Sequence, residues 1–140
     1  MEQTQDPAEN PAAADGFGRG RAGLGLPRAS HLLRKADFDR VYRQGARARG
    51  RFILVVAAAG MQPGTARMGL SVSRRYSRSA VVRNRARRCL REAFRLVRAE
   101  LPHLDLVLSP LVSGRRCGTR ELRDELVTLL GRIERKLELR

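Results

Sequence analysis

The first regular pattern of apolar side chains predicts a short helix at residues 36–44. Phe38, Val41 and Tyr42 fall at positions i, i+3 and i+4, so they share one face at helical spacing. Gly45 follows directly and is a common stop signal.

Strands and a last helix are predicted further along the chain. Residues 51–59 are apolar on both faces, and residues 67–73 alternate between apolar and polar, so both segments are expected to be strands. Another strand is expected at residues 104–109. Residues 119–137 repeat an apolar stripe at helical spacing: Leu122, Leu126, Leu129, Leu130, Ile133 and Leu137.

A long amphipathic helix is predicted for residues 79–100. Helical spacing gathers an apolar stripe on one face: Val82, Ala86, Cys89, Leu90, Ala93, Leu96 and Val97. It gathers polar and basic side chains on the other: Asn84, Arg87, Arg88, Arg91, Arg95 and Arg98, with Arg83 and Arg85 at the borders. The predicted order is helix, two or three strands, helix, strand, helix.

The chain is expected to be one domain preceded by a tail. Residues 1–25 combine few large apolar groups with repeated helix breakers, which predicts a disordered N-terminal tail. Residues 26–140 are then expected to form a single α/β domain, the size that 140 residues allow. The absence of a secretory signal and of an apolar stretch long enough for a membrane span predicts a cytoplasmic protein.

The charge of the chain indicates a polyanionic partner. The formal net charge is +15 and the pI is about 11.6, whereas the first 27 residues hold four acids and only two arginines. Of 29 basic residues, only Lys35 and Lys136 are lysines. Coding bias explains this preference as well as function does, although guanidinium groups also suit bidentate contacts to phosphate.

Arginines are concentrated between Arg67 and Arg98, where eleven occur against one acid, Glu92. Such a run is often only a solvated face. Here, however, arginines four residues apart repel one another on the predicted helix, which calls for an anionic partner: Arg83, Arg87, Arg91 and Arg95. Serines and arginines before the helix bring backbone donors and a helix N-terminus to the same surface.

The same segment resembles a known family. Residues 69–75 (GLSVSRR) and 80–95 (AVVRNRARRCLREAFR) resemble the signature of the bacterial ribonuclease P protein component, whose basic helix carries an Arg-Asn-Arg motif. Asp37-Phe38 and Val41-Tyr42 before Gly45 resemble the family's first helix, while residues 51–56 and 105–108 resemble two of its strands. The resemblance covers about residues 26–137.

The resemblance implies a fold. That fold is α+β, a two-layer α/β sandwich in the order α-β-β-β-α-β-α (ribosomal protein S5 domain 2-like). It contains a left-handed βαβ crossover, which is rare among such connections.

The resemblance also implies two RNA-binding surfaces. The first binds the catalytic RNA of ribonuclease P: Arg74, Arg75, Arg78, Arg83, Asn84, Arg85, Arg87, Arg88 and Arg91. The second is a cleft for the single-stranded 5′ leader of precursor tRNA, with Phe38, Tyr42 and Phe52 as stacking surfaces, although core packing is an equal explanation for each aromatic. Val55 replaces an aromatic that the family often has, which predicts weaker stacking. Residues 108–110 (Leu-Ser-Pro) replace the family's usual Ala-Arg-Pro, which weakens the expectation of contacts there.

No catalytic residue is expected in the protein itself. Protein nucleases use clustered carboxylates with metals or a well-placed histidine, and here the acids are scattered while His31 and His103 lie near element ends. Cys89 and Cys117 lack the short ligand spacing of zinc sites. The family role implies an endoribonuclease whose chemistry is carried by one RNA subunit per protein, with Mg²⁺ bound mainly by that RNA and none by the protein alone.

Two other functions remain open at this stage. A ribosomal or assembly protein would share the charge and the fold class but not the motif. A protein-only nuclease would have to cleave without RNA.

Overall fold

The computed structural model describes residues 30–32, 34–60, 66–112 and 118–138. The predicted tail, residues 61–65 of the turn after the first long strand, and Cys117 lie outside these residues. The element order α-β-β-β-α-β-α is confirmed: α1 (Lys35–Gln44), β1 (Ala46–Arg49), β2 (Ile53–Ala59), β3 (Arg67–Leu70), α2 (Ala80–Val97), β4 (Leu104–Pro110) and α3 (Thr119–Glu138). No helix in the described ranges is long and apolar enough to cross a bilayer.

The four strands form one mixed sheet in the order β1-β2-β4-β3. Strand β2 pairs antiparallel with β1 and β4, whereas β3 and β4 are parallel neighbours connected through α2. This β-α-β unit is the one for which the resemblance implies a left-handed crossover. Because β1 and β3 are the two ends of the strand order, the segments that follow or flank them lie at opposite edges of the sheet.

Both faces of the sheet are apolar, as the pattern of residues 51–59 predicts. Ile53, Val55 and Ala57 belong to a core shared with α2 and α3. Val56 and Ala58 point the other way and pack under α1. Alternation along a strand therefore assigns α1 to one face and α2 with α3 to the other.

Strand β2 begins two residues later than predicted because residues 50–53 turn between β1 and β2, where the N–H of Gly50 donates to the carbonyl of Ile53 and a carboxylate on α3 binds the next backbone donors. Glu125 accepts hydrogen bonds from the backbone N–H groups of Arg51, Phe52 and Ile53, at 2.9, 2.6 and 2.8 Å. A side chain therefore satisfies the backbone N–H groups of residues 51–53 at the start of β2. A Cβ atom on Gly50 would lie 2.5 Å from this carboxyl group, so glycine allows the close approach.

The sequence pattern did not single out β1 as a strand. Ala46 and Ala48 are buried while Arg47 and Arg49 are exposed, so the strand alternates as a half-buried strand does. It lacks the β-branched and aromatic residues on which strand prediction depends.

Helix α1 is fixed to the sheet by buried ion pairs around Asp105, which is fully buried on β4. Arg67 on β3 donates two hydrogen bonds to Asp105, of 3.0 and 2.7 Å, and these raise the pKa of Arg67 above its usual value. Arg40 on α1 also donates to Asp105 and to the carbonyl of Ala59. Two strands and a helix therefore share one carboxylate.

Gly69 on β3 lies directly against the ring of Phe38 on α1. A Cβ atom at Gly69 would lie 2.4 Å from Cζ of Phe38. We therefore expect Gly69→Ala to displace the ring and to lower the free energy of unfolding by about 1–3 kcal/mol, the usual cost of overpacking. Urea unfolding measures this loss. Adding Phe38→Leu should restore part of it, and an additive double variant would argue against the contact.

Candidate nucleic-acid interface

A structured loop precedes α2 and presents arginines to solvent. In residues 73–79, which we call the arginine loop, Ser73 Oγ accepts from the N–H of Arg75 at 3.2 Å, and Tyr76 is buried with its N–H donating to the carbonyl of Ser73. Ser79 caps the helix, its Oγ accepting from the N–H of Val82 at 3.3 Å. The backbone of the loop is thus ordered by its own serines and by one core aromatic.

Five of the predicted catalytic-RNA-binding arginines are exposed. None of them forms an ion pair or a side-chain hydrogen bond within the described part of the chain: Arg74, Arg75 and Arg78 on the arginine loop, and Arg85 and Arg88 on α2. Glu92 is the one acid on this helix, and it is already paired with Arg95 at 2.5 Å. These five guanidinium groups therefore form an unneutralised cationic surface, and we call them the exposed arginines.

Arg83, the first arginine of the Arg-Asn-Arg motif, is used differently. Its Nη1 donates to the carbonyl oxygens of Ser77 and Arg78, at 3.1 and 3.0 Å. The side chain thus reaches back from the first turn of α2 and holds the end of the arginine loop. By binding these backbone carbonyls, Arg83 helps to position the arginines of the loop.

Arg87 and Arg91 correct the predicted division of α2 into an apolar and a basic face. Both are only 3% exposed, whereas Leu96, which was predicted on the apolar side, is 43% exposed. The buried arc is centred on a different set: Ala86, Leu90, Ala93, Phe94 and Val97. Because α2 packs against both the sheet and α3, the arc is wide enough to include positions 87 and 91.

The buried Arg87 is held by the Arg-Asn-Arg motif itself. Nη1 of Arg87 donates to Oδ1 of Asn84 at 2.7 Å, so the exposed asparagine of the motif orients a buried cation. Burial and the neighbouring charge of Arg87 lower the pKa of Arg91 to about 10.

The predicted repulsion along α2 is partly relieved inside the protein. The hydrogen bonds with Glu92 raise the pKa of Arg95, Arg83 is bonded to two carbonyls, and Arg87 to Asn84. Three of the four arginines predicted to need an anionic partner are thus bonded within the protein, so the case for RNA contact rests instead on the exposed arginines, none of which is among those four.

The three aromatics predicted to bind a leader do not lie together. Phe38 is 2% exposed under α1, with its ring over Gly69, whereas Tyr42 is half-buried at the margin of the same cluster. Phe52 packs against the core of α2 and α3, with the guanidinium of Arg51 5.4 Å from its ring centroid. Of the three, Tyr42 is the aromatic on the α1 face that is not fully covered.

Val55 does not face the predicted cleft. It is fully buried in the core of α2 and α3, so the expectation that it weakens stacking under α1 is wrong. Alternation places Leu54 and Val56 on the α1 face instead.

Comparison with known proteins identifies the family. The sequence profile of the family described as Ribonuclease P matches residues 26–134. The chain belongs to this ribonuclease P family. Proteins named ribonuclease P protein component from Pseudanabaena sp. and Desulfovibrio desulfuricans are 32% and 39% identical to it over 110 and 119 residues. The matches cover 78% and 80% of this chain and 95% and 88% of those proteins.

Solved ribonuclease P proteins have the same fold. The Staphylococcus aureus protein gives a TM-score of 0.65 at 25% identity, covering 74% of this chain and 94% of that one. The Thermotoga maritima protein gives 0.64 at 27% identity, covering 74% and 96%. Within the residues described for this ribonuclease P family member, no three His, Cys, Asp or Glu side chains are grouped as metal ligands.

Proposed function

We propose that this chain is the protein subunit of ribonuclease P and assists a catalytic RNA in removing the 5′ leader from precursor tRNA. One observation carries the proposal beyond family membership: the exposed arginines continue from the arginine loop onto α2 without a free acid between them. Guanidinium groups bind phosphates bidentately, and releasing counterions from RNA drives association with such a surface.

In this proposal the RNA subunit, with its bound Mg²⁺, carries the chemistry. The protein contributes positioning and charge neutralisation, and none of its residues is catalytic. We expect one protein per RNA subunit and a cytoplasmic location. The exposed arginines contact the RNA directly, whereas Arg83, Asn84 and Arg87 support the surface from within.

Reconstitution tests the function. The purified chain, mixed with its cognate catalytic RNA at low Mg²⁺, should increase the rate of leader removal over RNA alone. A chain that leaves this rate unchanged is not a ribonuclease P subunit. Sequencing the RNA that co-purifies with the protein provides an independent check, because ribosomal RNA in place of the catalytic RNA would favour a ribosomal or assembly role.

We further propose that the leader crosses the α1 face of the sheet beside Tyr42. Stacking of a base on an aromatic ring contributes about 1–3 kcal/mol, so Tyr42→Ala should weaken holoenzyme binding of precursor tRNA by about fivefold or more. Binding of leaderless tRNA should not change. Phe52→Ala is the comparison variant, since Phe52 packs on the other core. Equal losses for substrates with and without a leader would contradict this placement.

A further inference from the structure

Helix α1 covers only part of its face of the sheet. Val56 and Val107 lie under it. One step further along β2 is a row of three residues in register across the strands, Arg49 on β1, Leu54 on β2 and Ser109 on β4. Leu54 belongs to neither apolar core, and it and Ser109 are half-buried while Arg49 is exposed. This row, which we call the open row, leaves sheet surface accessible beside α1.

The β1 end of the open row is strongly basic. Residues 40–53 contain five arginines and no acid. Arg47 is paired with Val56 and Arg49 with Leu54, and paired residues point to the same side of a sheet, so both arginines project on the α1 face. Both are exposed and neither forms an ion pair within the described residues.

Two acids that lie on or against this sheet already have partners. Asp105 is bound by Arg40 and Arg67, and Glu125 accepts three backbone N–H groups from residues 51–53. Neither of these two acids is therefore free to pair with Arg47 or Arg49. Charged side chains on an edge strand also discourage edge-to-edge aggregation, which is the simplest other reason for their presence.

The position of β1 in the sheet indicates which part of a bound RNA strand would contact β1. The arginine loop follows β3, and β1 lies at the opposite edge, three strand spacings or about 14 Å away. An RNA strand that leaves the catalytic RNA at the β3 edge meets β1 last. Arg47 and Arg49, two residues apart, are separated by about 7 Å, which suits neighbouring phosphates of an extended strand.

We propose that Arg47 and Arg49 extend the leader-binding surface across β1 and bind phosphates of leader nucleotides distant from the cleavage site. Leu54 and Tyr42 supply apolar surface for bases, and the two arginines supply the charge that a single-strand groove requires. This inference rests on the proposed function, because it assumes that a leader crosses the α1 face.

The test measures precursor tRNA binding by the reconstituted holoenzyme as a function of leader length. Wild type is compared with Arg47→Ala/Arg49→Ala and with Arg120→Ala/Arg132→Ala, a charge-matched pair of exposed α3 arginines. Leaders of about two and about twelve nucleotides are used, because single-strand sites of this kind span about 4–16 nucleotides. The β1 variant should lose about fivefold or more in affinity for the long leader, and its salt slope should fall by about 1.4. The short-leader affinity and the α3 variant should stay within about twofold of wild type.

The outcomes separate this inference from the function on which it rests. If the wild-type holoenzyme binds precursors with long and short leaders equally, the proposal that this protein binds the leader is wrong. If wild type prefers the long leader and the β1 variant retains that preference, only the role of Arg47 and Arg49 is overturned. It is also overturned if the variant loses equal affinity for both substrates, or if it differs from wild type only in aggregation.

Discussion

Asp105→Asn is expected to lower the free energy of unfolding by about 3–5 kcal/mol, the usual cost of removing one partner from a buried ion pair. Asp105 is completely buried and accepts from both Arg67 and Arg40. An asparagine side chain would leave two cations with little access to water and no opposite charge except Asp37, 3.8 Å from Arg67. The midpoint of urea unfolding measures the loss, with an unchanged m-value confirming a native-like fold.

The matched control is Asp39→Asn on the solvent side of α1. Asp39 also pairs with a cation, Lys35, at 2.9 Å, but the two side chains are 48% and 63% exposed. Such a pair contributes about 0.3–0.5 kcal/mol. Similar losses for the two variants would show that burial of Asp105 does not govern its contribution.

A triple variant separates charge pairing from packing. Asp105→Leu with Arg40→Met and Arg67→Met removes all three charges while keeping side-chain volume in place. Buried ion pairs replaced in this way often leave stability unchanged or raised. The triple variant should therefore be more stable than Asp105→Asn alone, and a further loss of stability would contradict the electrostatic explanation.

The sequence predicted the elements whose periodicity is long or whose composition is typical. Helices α1, α2 and α3 were placed to within a residue or two, apart from the last turn of α2, which continues as a 3₁₀ turn at Arg98–Glu100. Strand β1 was not singled out from the pattern, because alanine and arginine have low strand propensity. The segment becomes a strand through its pairing with β2. A period-two alternation of small and charged residues is the signal that could have identified it.

Contacts between distant residues account for what the pattern could not predict at the site. The cluster of Asp105, Arg67 and Arg40 joins positions 38 and 65 residues apart, and single acids looked scattered along the chain. Likewise, the number of elements packed on α2 decides whether Arg87 is exposed, and a helical wheel contains no such information. The Arg-Asn-Arg motif pointed to the basic surface of α2 but did not separate its exposed side chains from those bonded within the protein.

The difference between exposed and internally bonded arginines leads to the prediction with the largest expected effect on RNA binding. Arg85→Ala/Arg88→Ala is expected to weaken binding of the catalytic RNA by about 150-fold or more, because each charge-assisted hydrogen bond contributes about 1.5–3 kcal/mol. Two lost phosphate contacts should also reduce the slope of log affinity against log salt by about 1.8. Arg85 and Arg88 are exposed on α2, so the fold should be unaffected. Arg120→Ala/Arg132→Ala serves as the charge-matched control.

Arg83→Gln tests, in the same binding assay, whether an internally bonded arginine positions the arginine loop. Arg83 holds the carbonyls of Ser77 and Arg78, so its loss should release the arginine loop and cost more than one phosphate contact. The salt slope should then fall by more than about 0.9. The loss should also be less than additive with Arg74→Ala/Arg75→Ala, because the same contacts disappear twice. A decrease of about 0.9 that adds fully to the loop variant would instead make Arg83 an ordinary phosphate ligand and remove its role in positioning the loop.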